Sequence, residues 1–204
     1  MPGSLSEWDA RHQAAAVELP PEPASFVREL LPLLPMGPAL DLACGTGRHT
    51  LLLASRHQPV TAVDGSKVAL DVLERRAREL HFAVNRIRNA SCVESTSHGI
   101  QLVHADLEHI TLPAISFSLI LCVHYLQRSL FAAMQAALLP SGMLLFETYT
   151  RAQVEGAGGP KNPAYLLEIG ELRSSFPGLR IVFYRELRAG KGIASLIAQK
   201  RGRT

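Results

Sequence analysis

At 204 residues and 47% apolar content, the chain is long enough for one domain with a substantial core and too apolar for disorder. No apolar run nears the roughly 18–20 residues of a membrane span, so no membrane partner is expected. The net charge is only +3, yet Arg173, Arg180, Arg185, Arg188, Lys191, Lys200, Arg201 and Arg203 crowd residues 172–204 against the single acid Glu186.

Such a basic end can serve RNA, but no RNA-binding signature accompanies it. Solvated strand edges, where lysine and arginine discourage pairing, are the favoured reading, and nucleic acid is not the expected partner. Cys44, Cys92 and Cys122 lack C-x-x-C spacing, which argues against a disulfide framework or a zinc site. No metal is expected. No basic region followed by an apolar run opens the chain, and a reducing cytoplasm is the expected setting.

In chain order, the polar opening Trp8-Asp9-Ala10-Arg11-His12 precedes the break at Pro20-Pro21-Glu22-Pro23. Ser25 is placed to cap a helix with Phe26, Leu30, Leu31 and Leu34 on one face. Ala39-Leu40-Asp41-Leu42-Ala43 reads as a buried parallel strand. Gly45 and Gly47 then allow a sharp turn and close backbone approach to a ligand, and Arg48 to Ser55 continues as a helix. Strand, glycine turn and helix N-terminus make a nucleotide-type site. The dinucleotide fingerprint fails, because its third glycine falls on Thr50, and the P-loop fails for want of G-K-[ST]. A second strand, 59–63, ends at Asp64-Gly65-Ser66. A carboxylate there suits ribose hydroxyls, and Ser66 can cap a helix from Lys67 to His81.

Residues 82–99 are polar and weakly patterned, as in an insertion or an extra hairpin. Strands follow at 100–103, 117–122 and 143–149. A helix is expected over Ser129 to Leu139, a glycine-rich loop over 150–163 and a short helix over Leu166 to Phe176. Leu179 to Leu187 and Ile193 to Gln199 form a closing antiparallel pair about Gly190-Lys191-Gly192. Alternating strands and helices imply an α/β fold: a Rossmann-like doubly wound seven-stranded sheet, mostly parallel, with a C-terminal antiparallel hairpin. One domain spans 1–204, with a lid and helix in 1–35 and the insertion at 82–99.

The run Asp41, Ala43, Gly45, Gly47 resembles motif I of the class I S-adenosylmethionine (SAM)-dependent methyltransferases, with Ala43 replacing the usual first glycine. Asp64, His104-Ala105-Asp106 and the segment to His124-Tyr125 follow in that family's order. The opening Trp8-Asp9-Ala10-Arg11, the Gly158-Gly159-Pro160-Lys161-Asn162-Pro163 loop and Gly170-Glu171-Leu172-Arg173 resemble small bacterial methyltransferases related to the tellurite-resistance and thiopurine enzymes. The resemblance implies S-adenosyl-L-methionine as cofactor and methyl transfer to a small molecule. Gly45 and Gly47 would let the backbone approach the cofactor, and Asp41 and Ala43 would lie near its methionine end. Asp64 would bind its ribose and Asp106 its adenine amino group, with Leu107 packing nearby. Cys44, Gly65 and Arg11 would also contact it. Cys122 and His124 would face the transferred methyl. Trp8, Arg11 and His12 would close as a lid. His124, His12 and Tyr125 are the candidates for acid–base work, alongside His104, if the acceptor needs a base. A soft or self-ionising acceptor, such as a thiol or chalcogen oxyanion, would need none. An RNA methyltransferase and a non-catalytic SAM-binding protein remain alternatives, and the oligomeric state stays open.

Overall fold

The computed structural model describes residues 9, 10, 13, 22–88, 90–155, 159–188 and 191–202. Five helices, α1 (Ser25–Leu30), α2 (Arg48–Ala54), α3 (Lys67–Glu79), α4 (Phe131–Ala137) and α5 (Glu171–Ser174), flank the strands among these residues. The strands are β1 (Ala39–Leu42), β2 (Val60–Asp64), β3 (Val84–Ile87), β4 (Ile100–His104), β5 (Phe117–Val123), β6 (Leu138–Tyr149), β7 (Leu179–Leu187) and β8 (Ile193–Lys200). They form one sheet in the order β3-β4-β2-β1-β5-β6-β8-β7. All neighbours are parallel except β6 with β8 and β7 with β8. The chain runs from β1 outward through β2, then returns to place β5 on the other side of β1. That reversal is a topological switch point, and in open α/β sheets ligands bind outside the carboxyl ends of the strands at such a point.

The sheet is covered on both faces, which is why β1, β2, β4 and β5 read as continuous apolar runs. Leu40, Leu42, Ile120, Cys122, Leu144 and Phe146 pack with Met134 of α4 and with Leu172 and Phe176. On the opposite face Ala39, Leu119, Leu121, Leu145 and Ile197 meet Phe26 and Val27 of α1 and Leu53 of α2. Leu70 and Leu73 of α3 pack on Ala62, Ile100 and Leu102.

The sheet has eight strands where seven were expected, and the extra one comes from the polar stretch 82–99. Val84 to Ile87 pairs in parallel with Ile100 to Val103 at the sheet edge. Its polarity concealed it: Arg86 is an anchor, bonded to Asp71 and to Glu74 of α3, the latter at 2.9 Å. Ser25 does not cap α1. It is the first helical residue, and the capping position belongs to Ala24. Ser66 caps α3 as expected, accepting from the Ala69 N–H at 3.1 Å. The expected helix 166–176 shrinks to Glu171–Ser174, because Leu166 and Leu167 are buried in extended chain, Leu167 bridging to Thr150. The glycine-rich loop begins instead as a 3-10 helix, Arg151–Glu155. It rests on the hairpin, where a Cβ on Gly192 would come within 2.1 Å of the Gln153 backbone nitrogen.

Much of the basic C-terminal end is engaged internally. Arg180 bonds Gln199 at 2.7 Å, and Lys200 donates to Ala136 O and Leu138 O at 3.1 and 2.7 Å. Arg185 lies 5.7 Å from the Phe26 ring centroid. No described helix is long and apolar enough to cross a membrane.

The Arg86 anchor yields a stability test. Charge-assisted hydrogen bonds contribute about 1.5–3 kcal/mol each. Urea unfolding of Arg86→Ala is expected to show a loss of about that size. A loss under about 0.5 kcal/mol would mean that strand pairing alone fixes β3.

Candidate active site

The site is built at the switch point, from the loop after β1. Ala43, Gly45 and Gly47 have φ of 55°, 55° and 84°. Three left-handed residues within five positions fold the chain back tightly, a conformation that favours glycine. Gly47 is doubly constrained, because a Cβ there would fall 2.1 Å from Leu73 Cδ1.

Asp64, at the tip of β2, holds this loop. Its Oδ2 accepts from the Gly45 N–H at 2.7 Å and its Oδ1 from the Ser66 N–H at 2.8 Å. Ser66 Oγ donates in turn to Asp9. Asp9 is thus tied to the tip of β2, beside the loop. The other residues expected in the lid, Trp8, Arg11 and His12, lie outside the described residues. His104 Nε2 lies 3.1 Å from Gly65 O; a carbonyl only accepts, so this nitrogen carries the proton.

Several residues expected at the cofactor are buried rather than presented. Asp41 is 1% exposed and accepts from Thr50 Oγ1 at 2.6 Å. Burial raises its pKa to about 7, with Asp64 adding to the rise and Thr50 and Arg48 opposing it. Its side chain therefore links β1 to α2. Cys122 has no exposed surface, and its thiol approaches Tyr125 O at 3.7 Å. Burial pushes the thiols of Cys122 and Cys44 up. Leu107 joins the core, whereas Asp106 is open to solvent and accepts from the Glu108 N–H at 2.9 Å. Tyr125 is half-buried against the core, and burial raises its phenol.

His124 stands at the carboxyl end of β5 with φ 61°. Its N–H donates to Glu147 O at 2.7 Å, and its ring stacks on Tyr149 with centroids 4.9 Å apart. Arg48 Nη2 lies 3.2 Å from His124 Nδ1. A guanidinium only donates, so Nδ1 is the acceptor and Nε2 holds the proton. Nε2 faces Glu147 Oε1 at 3.8 Å. Burial, then Arg48 and Lys191, lowers the imidazole to about 4. At neutral pH His124 is an uncharged ring whose only lone pair is taken.

Arg48, Glu147 and His49 were not anticipated as site residues. Arg48 directly follows the glycine turn. Glu147 is a buried acid inside an apolar strand, and that interruption was the legible signal. Its Oε2 accepts from Ser195 Oγ at 2.6 Å and lies 3.9 Å from Arg185 Nη2. Glu147, Ser195 and Arg185 are register neighbours across β6, β8 and β7. Burial raises the Glu147 carboxyl, with Ser195 and Arg185 opposing the shift. His49, also unforeseen, is buried in α2 and accepts from the Ala24 N–H at 3.1 Å.

His49 gives a pH test. Burial first, then Arg48 and His124, lowers it to about 3. Unfolded histidine protonates near pH 6.5. Its contribution is therefore present above pH 6.5 and is lost as pH falls toward 3. Between pH 7 and 5, urea unfolding of the wild type is expected to lose about 1–2 kcal/mol more than His49→Gln. Parallel losses in the two proteins would refute the assignment. Because Asp41 and His124 titrate in both, the difference isolates His49.

Comparison with known proteins now bears on this geometry. A family model described as "Methyltransferase domain" matches residues 39–142, from β1 past α4 into β6. The trans-aconitate 2-methyltransferase of Rhizobium meliloti (strain 1021) is 34% identical over 77 residues, 37% of this chain and 30% of that protein. The enzyme of the same name from Sinorhizobium fredii is 31% identical over 77 residues, with the same shares of the two chains. The match thus spans under a third of these curated relatives. TehB from Haemophilus influenzae superposes with a TM-score of 0.65 at 16% identity, over 86% of this chain and 61% of that one. An S-adenosylmethionine-dependent methyltransferase from Mesorhizobium loti does so with a TM-score of 0.61 at 19% identity, over 85% and 96%. At such identities the structural likeness speaks to the fold. With the family model matching half of the sequence and this sheet order beneath it, the chain belongs to the methyltransferase-domain family.

Proposed function

We propose that this protein transfers a methyl group from S-adenosyl-L-methionine to a small-molecule acceptor. The observation that carries the reading is the left-handed loop 43–47, tied to the Asp64 carboxylate at the switch point of a methyltransferase-family sheet. The donor set fits the cofactor. A backbone turn leaves room for close approach, and a carboxylate at the end of β2 suits a ribose diol. Gly45, Gly47 and Asp64 would hold it, with Asp9 and Ser66 bordering the entrance. When bound, it supplies a methyl group already activated by a sulfonium.

The chain's own residues then have three tasks: to position the acceptor, to align it with the methyl carbon and to exclude water. Orientation of this kind supplies about 7–11 kcal/mol in favourable cases. Among the described residues at this end, neither candidate is ready to accept a proton. His124 gives its lone pair to Arg48, and Tyr125 is held protonated by burial. Both favour an acceptor that ionises by itself, such as a thiol, thiolate or chalcogen oxyanion. The relatives named for trans-aconitate methylation are consistent with a compact acceptor.

Two outcomes test this reading. Losing a charge-assisted hydrogen bond costs about 1.5–3 kcal/mol, so titration calorimetry of Asp64→Ala should show SAM affinity at least tenfold weaker than wild type. Unchanged affinity would remove Asp64 from the site. In a screen of thiols, chalcogen oxyanions and carboxylates read by S-adenosylhomocysteine formation, His124→Gln should keep most of the wild-type turnover. A fall of roughly 10²-fold or more in kcat at saturating acceptor would make His124 a base, whereas a rise in acceptor KM alone would reflect its hold on Arg48.

A further inference from the structure

We infer that Arg48 binds an anionic group of the methyl acceptor, a carboxylate or a comparable small oxyanion, at the transfer end of the cleft. This rests on the methyl-transfer reading above and names the substrate class for that site. Arg48 opens α2 directly after the glycine turn, and its side chain crosses from β1 toward the end of β5. It is half-buried, and its described contacts are all neutral: Nη1 donates to Glu22 O at 3.3 Å and Nη2 to His124 Nδ1 at 3.2 Å. A guanidinium has more donors than these two contacts use. Among the described residues no carboxylate lies within ion-pair distance of it. The two acids that act on it electrostatically, Asp41 and Glu147, are hydrogen-bonded elsewhere, one to Thr50 and the other to Ser195.

A cation withdrawn from water without a counter-ion is costly unless a charged partner arrives. Here the surroundings also favour an anion. Lys191, from the β7–β8 turn, acts on the same His124 ring with the same sign as Arg48. His124 is neutral and Tyr149 covers its face, so neither repels negative charge. The planar fork of Arg48, steadied at both ends by Glu22 O and His124, is preorganised for a bidentate carboxylate. His124 then serves as a positioning residue for the guanidinium.

A carboxylate could also come from the methionine portion of the cofactor. The contact of Arg48 with His124, and its electrostatic coupling first to Asp41 and then to Tyr149 and Glu147, run its side chain from β1 toward the ends of β5 and β6. On the methyl-transfer reading this end is assigned to the acceptor, and the experiment below separates it from the cofactor's own carboxylate.

The test uses the full chain loaded with S-adenosylhomocysteine, titrated by calorimetry with trans-aconitate, with selenite and with a neutral triamide of the same carbon skeleton as trans-aconitate. Wild-type protein is expected to bind at least one of the anions and not the amide, with affinity falling as salt rises. Arg48→Gln should weaken the anion tenfold or more, and Arg48→Lys, which keeps the charge but not the fork, should weaken it less. S-adenosylhomocysteine affinity and the unfolding midpoint should stay within about twofold and a few degrees of wild type in Arg48→Lys. Three results would overturn the inference: anion affinity unchanged in both variants, no anion bound by a wild type that does bind S-adenosylhomocysteine, or an equal loss of S-adenosylhomocysteine affinity, which would assign Arg48 to the cofactor's own carboxylate. Wild-type protein that binds no S-adenosylhomocysteine would overturn the methyl-transfer reading itself and this inference with it.

Discussion

The two hydrogen bonds received by the Asp64 carboxylate organise the site. One comes from Gly45, in the loop after β1, and one from Ser66, at the start of α3. A carboxylate accepting backbone N–H groups is a strong, oriented interaction. Here it locks two separate strand ends into one geometry. Ser66 extends that geometry in two directions, capping α3 and reaching Asp9. The left-handed backbone at Ala43, Gly45 and Gly47 is strained for all but glycine, and strain of this kind persists where the surroundings over-determine it. The bond from Gly45 and the contact of Gly47 with Leu73 supply that constraint.

On the other side of the loop a line of polar groups crosses the sheet. Asp41 and Thr50 join β1 to α2. Arg48 joins α2 to His124, and Glu147, Ser195 and Arg185 continue across β6, β8 and β7. Each member is wholly or partly withdrawn from water, so each must be partnered or change its protonation. Most do one or the other. Asp41 titrates near neutrality while bonded to Thr50, and Glu147 is raised while bonded to Ser195. His124 and His49 remain neutral. Arg48 stands apart as a charge whose described partners are neutral, which makes it the feature most readily explained by a ligand.

The fold was largely readable because its constraints are local and periodic. Apolar runs at 39–42 and 117–123 announce strands buried on both faces, and the Asp-Gly-Ser sequence after β2 announces a capped helix. The elements that escaped were those whose polarity is satisfied at long range. Arg86 made β3 look like loop until Asp71 and Glu74 of α3 were found beside it. Ser25 looked like a cap, yet the exposed donor of Ala24 is met by His49 from another helix.

Sequence alone determined the class of fold, the glycine turn and the placing of Asp64 at the tip of the second strand, because spacing along one βαβ unit fixes those positions; that Asp64 accepts from Gly45 was decided by the tertiary structure. Sequence could single out His124 at the end of β5 as a candidate, but not its state. Only the tertiary structure decided that its lone pair is taken by Arg48, since the two residues are 76 positions apart and meet through the closure of β5 against β1. The same holds for Cys122, where alternation along a buried strand sends the thiol into the core, and for Glu147, whose partners Ser195 and Arg185 arrive from strands that fold back antiparallel at the end of the chain. Local pattern sets which residues can face a site; the electrostatic character of that site depends on which distant groups the fold brings within a few ångströms of one another.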